Sequence, residues 1–115
     1  MTITFFREYC LAKPGTSEDT PFDENTLCLR VGGKIFAILD IDQFESVNLK
    51  CDPEWAAELR EQFPGIQPGY HMNKKHWNTV MADGSVSDKL ILELTDHFYD
   101  LVFNSLPSKI RASLT

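Results

Sequence analysis

Two glycines set between two alternating apolar runs restrict this chain more than any other feature in it. Thr26 to Val31 puts Leu27, Leu29 and Val31 on one side and Cys28 and Arg30 on the other. Gly32-Gly33 follows, and Lys34 to Ile41 is the next apolar run. A period of two belongs to a strand with one buried face, and a two-glycine link supplies the positive φ of a tight hairpin. The chain is therefore expected to build an antiparallel sheet. Ser46 to Cys51 adds a third strand, with Val47, Leu49 and Cys51 inward and Asn48 and Lys50 outward.

Helical spacing brackets these strands. Ile3, Phe6, Tyr9 and Cys10 share one stripe in Thr2 to Lys13, and Pro14-Gly15 stops it. Asp52-Pro53-Glu54 reads as N-cap, first helical position and dipole partner of a second helix. Its stripe is Trp55, Ala56, Leu59 and Phe63, and Pro64-Gly65 ends it. Ser87 caps a long third helix with Leu90, Ile91, Leu94, Phe98, Leu101 and Val102 on one side, ended by Pro107. Pro14 to Asn25 reads as a solvated loop in which Phe22 pins the chain to the core. The carboxylates of Glu18, Asp19, Asp23 and Glu24 there suit solvent better than a metal.

Between the second and third helices lies Gly65 to Val80, part of a stretch from Gln62 to Ala82 with no acidic residue, in a chain of net charge −6. It reads as two short strands joined at Asn73-Lys74-Lys75. Tyr70 and Met72 alternate with His71 and Asn73, and Trp77, Thr79 and Met81 alternate with His76, Asn78 and Val80. The apolar sets are expected to face the core and the polar sets the open side.

The element order is α-β-β-β-α-β-β-α. The expected fold is α+β, in two layers: a five-stranded antiparallel sheet with strands near 26–31, 34–41, 46–51, 70–73 and 76–81, and three helices on one face. The 115 residues form a single domain over 1–115, long enough to bury roughly two thirds of the unfolded surface. Leu29, Ile38, Leu49, Trp55, Leu59, Trp77, Leu94 and Phe98 are the expected core.

Composition narrows the functions. No apolar run approaches the roughly 20 residues of a membrane helix, and the N-terminus lacks the pattern of a signal peptide. No membrane association is expected. Cys10, Cys28 and Cys51 are widely spaced and form no CxxC, which points to reduced thiols in the cytoplasm. His71 and His76 lack the further ligands a zinc site needs, so neither metal nor cofactor is expected. No nucleophile elbow is present, and Asp96-His97 sits on a helix where neighbours point apart, so the chain does not read as an enzyme. The net charge opposes bulk attraction to nucleic acid; binding of that kind would need a local patch.

Lys50-Cys51-Asp52-Pro53 and Pro68-Gly69-Tyr70-His71-Met72-Asn73-Lys74-Lys75-His76-Trp77-Asn78 resemble the signature segments of the bacterial MmcQ/YjbR family. The resemblance runs from about Thr4 to Arg111 and includes Lys13-Pro14-Gly15 and Gly32-Gly33-Lys34. It implies a fold similar to the double-wing DNA-binding domain of the phage transcription factor MotA, and an element order shared with secretion chaperones. The implied function is DNA binding through two hairpin wings tipped by Gly32-Gly33-Lys34 and Asn73-Lys74-Lys75. The resemblance supplies no site residues, so roles are assigned from chemistry and position. Lys34, Lys50, Lys74 and Lys75 would contact phosphates of double-stranded DNA, weakly. His71, Asn73, His76 and Asn78 would add hydrogen bonds from the polar sheet face. Trp55, Tyr70 and Trp77 could stack on bases but read better as core. The alternatives are a protein-interaction module that binds a peptide or another subunit on the open face, and a site there for a small anionic ligand.

Overall fold

A computed structural model describes residues 1–69 and 73–114. Helix α1 (Ile3–Leu11) starts on Thr2, whose hydroxyl accepts from the Phe5 amide at 3.1 Å. Strands β1 (Thr16–Asp19), β2 (Thr26–Val31), β3 (Lys34–Asp40) and β4 (Ser46–Lys50) follow. Helix α2 (Pro53–Gln62) is capped by Asp52 as its sequence predicts. Strands β5 (Ile66–Pro68) and β6 (Trp77–Met81) lead to α3 (Asp88–Ser105), capped by Ser87, and α4 (Ser108–Leu114).

The sheet is antiparallel throughout, in the order β1-β2-β3-β4-β6-β5. Gly32 and Gly33 turn β2 into β3 with φ of +57° and +85°, values that suit a hairpin turn of the primed type. Phe36 is an extra residue in β3, because Leu29 pairs with Ala37 while Arg30 pairs with Ile35. The bulge drives Phe36 into the core, where its ring meets Tyr99 edge-on at 5.6 Å. Phe6 and Cys10 of α1, Ala56 and Leu59 of α2, and Ile91, Leu94 and Phe98 of α3 join the inward residues of the strands in one cluster. These three helices therefore cover one face of the sheet.

The structure corrects the expected fold in several places. The sheet has six strands, not five, and there are four helices, not three, among the described residues. The sixth strand, β1, lies in the expected acidic loop. It is an edge strand with Glu18 bound to Arg7 of α1 and Asp19 bound to Arg30 of β2, so its carboxylates are used in pairing. Phe22 does not pin that loop: it is 68 % exposed. The strand expected at 70–73 has residues 70–72 outside the described set, and Asn73 lies in no strand. The partner of β6 is instead Ile66–Pro68, where Ile66 is buried opposite Val80. Ile38, Trp55 and Trp77 are half-buried rather than core, while the other expected core residues are buried.

Candidate nucleic-acid interface

β6 turns the expected faces over. Register with β4 sets Leu49 beside Asn78 and Val47 beside Val80, so Asn78 and Val80 face the helices. Trp77, Thr79 and Met81 lie on the open face beside Lys50, Asn48 and Ser46. Alternation defines two faces but does not say which is buried, and pairing decides it. Asn78 is therefore not a surface donor: it is fully buried. Its Nδ2 donates to the Ala56 carbonyl at 3.3 Å, and its Oδ1 accepts from Arg60 Nη1 at 3.3 Å. Truncating Asn78 to Ala leaves this buried polar set incomplete. The expected loss is about 1–3 kcal/mol in urea unfolding, and a shift under about 0.5 kcal/mol would contradict the assigned role.

The same Arg60 nitrogen reaches the Lys74 carbonyl at 2.9 Å. α2 thus holds the β5–β6 tip, which is not a freely projecting wing. Asn73 closes the tip itself: its side chain accepts from the Lys75 amide at 3.0 Å and its carbonyl from the His76 amide at 3.1 Å. Asn73, Lys74 and Lys75 are exposed. His76 is half-buried outside the strand, and its carbonyl accepts from the Cys51 amide at 2.6 Å. His71 lies outside the described residues. Lys34 is exposed at the other tip, and Lys50 is half-buried opposite Trp77.

Strand direction brings the lysines together. β2, β4 and β5 run one way and β1, β3 and β6 the other. Hence the Gly32-Gly33 tip, the exit of β4 at Lys50 and the Asn73–Lys75 tip all fall at one end of the sheet. The centres of the two hairpins are three strand spacings apart, roughly 14 Å. α4 stands at the same end: a side chain built on Gly15 would lie 2.8 Å from Leu114, so α4 brings Lys109 and Arg111 close by. Sequence reasoning missed α4 and the anchoring role of Arg60. A basic residue one turn after Ala56 was the available signal for the latter.

The opposite end has the other charge. Its connections, residues 20–25, 41–45 and 82–87, carry Asp23, Glu24, Asp42, Glu45 and Asp83 and no Lys or Arg. Asp23 is held below the usual carboxylate range by the Asn25 amide, and Asp83 by the Ser85 hydroxyl, so this end stays anionic. Arg30, on the open face, is bound to Asp19 and to the Gly33 carbonyl. The three cysteines are free and buried. Burial pushes the Cys10 and Cys51 thiols up to about 12, which suits packing rather than chemistry. Among the described residues no three His, Cys, Asp or Glu side chains gather to hold a metal ion, and no helix is long and apolar enough to cross a membrane.

The sequence profile of the YjbR family matches residues 11–101. The chain is 37 % identical over 115 residues to the uncharacterized protein YjbR of Escherichia coli K12, spanning 99 % of this chain and 98 % of that one. Among solved structures it is similar to a Deinococcus radiodurans protein of domain family DUF419. That match has a TM-score of 0.92 and 40 % identity and covers 98 % of this chain and 87 % of the other. A Pseudomonas syringae protein solved by crystallography matches with a TM-score of 0.74 and 30 % identity, over 89 % of this chain and 99 % of that one.

Proposed function

The chain belongs to the YjbR family, and from that premise we propose that it is a binding protein, not an enzyme, that contacts double-stranded DNA with the basic end of its sheet. Lys34, Lys74 and Lys75 at the two tips and Lys50 between them meet phosphates. Asn73 and His76 shape the second tip, and exposed Lys109 widens the positive surface. One observation supports this above the rest: both tips share an end with Lys50 while the acidic connections gather at the other end. A duplex approaching the basic end keeps away from the five carboxylates of those connections, and meets Asp52 and Glu54 at the start of α2. The reduced thiols agree with a cytoplasmic setting.

Backbone contact of this kind carries no sequence code. Affinity at physiological salt should fall in the non-specific range, roughly 10⁻⁴ to 10⁻⁶ M. Titration of mixed-sequence duplex at two salt concentrations tests it. If all four lysines reach phosphates, log affinity should fall against log salt with a slope of about −3 to −4, at about −0.9 per neutralised phosphate. No detectable binding even at low salt would overturn the proposal.

A further inference from the structure

The sheet's open face has no helix on it among the described residues, and it carries apolar side chains among its polar ones. Ile35, Ile38, Trp77 and Met81 lie there half-buried. Its central polar groups already satisfy one another. The Thr79 hydroxyl donates to Asn48 Oδ1 at 2.6 Å, and Asn48 Nδ2 donates to the Ile38 carbonyl at 3.4 Å. Covering them costs little hydrogen bonding, while covering the four apolar side chains is favourable.

We propose that this face joins two copies of the chain, stacked with their strands antiparallel so that the basic end of each lies over the acidic end of the other. The two-fold axis of a face-to-face pair must lie in the plane between the sheets. An axis along the strands would set the basic end of one copy, with Lys50 and both tips, over the basic end of the other, and like charges would oppose each other. An axis across the strands keeps each strand over its counterpart and reverses its ends. Trp77 at the start of β6 then meets Met81 at the end of the other copy's β6. Lys50 at the end of β4 then nears Asp42 and Glu45, in the connection that enters the other copy's β4. The tip at Lys74 and Lys75 nears the connection at Asp83. The charge pattern is thus complementary to its own reversed copy, which is the argument for a second copy as the occupant. Sheets pack face to face about 10 Å apart with mean strand directions within about 30°, close enough for these pairs. The dimer and a duplex would compete for the same lysines, so the two activities can be separated by mass and by DNA titration.

Sedimentation equilibrium across a range of concentrations tests the proposal. The parent should approach twice the 13.1 kDa chain mass at high concentration, and less readily as salt rises. Ile38→Glu should hold it at the single-chain mass with an unchanged far-UV circular dichroism spectrum. Lys50→Glu and Asp42→Lys should each weaken association about tenfold, since each change acts twice in a symmetric pair, and the two together should restore it. A single-chain mass at every concentration would overturn the dimer, as would full dimerisation of Ile38→Glu. Failure of the double swap to restore association would overturn the antiparallel arrangement.

Discussion

Phe98→Ala should cost about 3–5 kcal/mol, the range of aromatic truncations in closed cores. Phe98 has no exposed surface, and its ring meets Trp55 of α2 edge-on at 5.7 Å. It therefore joins the longest helix both to the sheet and to α2. Losing the ring removes buried area and leaves a cavity that α2 and α3 cannot both close. The loss is a large part of the 5–15 kcal/mol that holds a domain of this size, and the melting temperature should drop by roughly 10–25 °C. A melt indistinguishable from the parent's would mean that α3 is wrongly placed on the sheet.

Gly32→Val should be the next most damaging change, at about 2–5 kcal/mol. Two costs combine. At φ of +57° a side chain enters the left-handed region, at about 1–2 kcal/mol. A Cβ there would also stand 2.6 Å from Leu106, which is itself buried and has little room to move. Overpacking of this kind typically costs about 1–3 kcal/mol. Gly33 is the control. It has the same sign of φ and nothing within 4 Å of a built Cβ, so Gly33→Val should show the backbone cost alone. Equal urea midpoints for the two variants would show that Leu106 does not close over the turn.

These two positions also show why some of the fold was legible in the sequence. Gly32-Gly33 between alternating runs has one structural meaning, and the Phe98 stripe with its Ser87 cap has one as well. β1 was hidden because Thr16-Ser17-Glu18-Asp19 has the composition of a loop. It becomes a strand only because Arg7 and Arg30, distant in sequence, take its carboxylates. α4 was hidden because it has no buried stripe; Leu114 reaches inward over Gly15 and Gly32. In β6 the sequence predicts the strand but the reverse assignment of its faces. Trp77, Thr79 and Met81 are the more apolar set, but the pairing with β4 sends Asn78 and Val80 inward. The site divides in the same way. Tip lysines are visible in a sequence, whereas the burial of Asn78 and the hold of Arg60 on Lys74 exist only after α2 docks.

The central claim is that the basic end of the sheet is where DNA is met, and replacing Lys74 and Lys75 together with Ala tests it most directly. Both are exposed, and the Asn73 side chain and backbone groups of residues 73–76 that close the tip are kept by Ala at either position, so the fold should survive. The measurement is the salt dependence of duplex binding for the parent, for this variant and for Asp42→Asn with Asp83→Asn at the far end. Loss of two phosphate contacts should reduce the slope of log affinity against log salt by about two, and weaken binding alike for every duplex sequence. The acidic-end variant should keep the parent's slope. A slope unchanged by loss of Lys74 and Lys75, with binding intact, would contradict the claim.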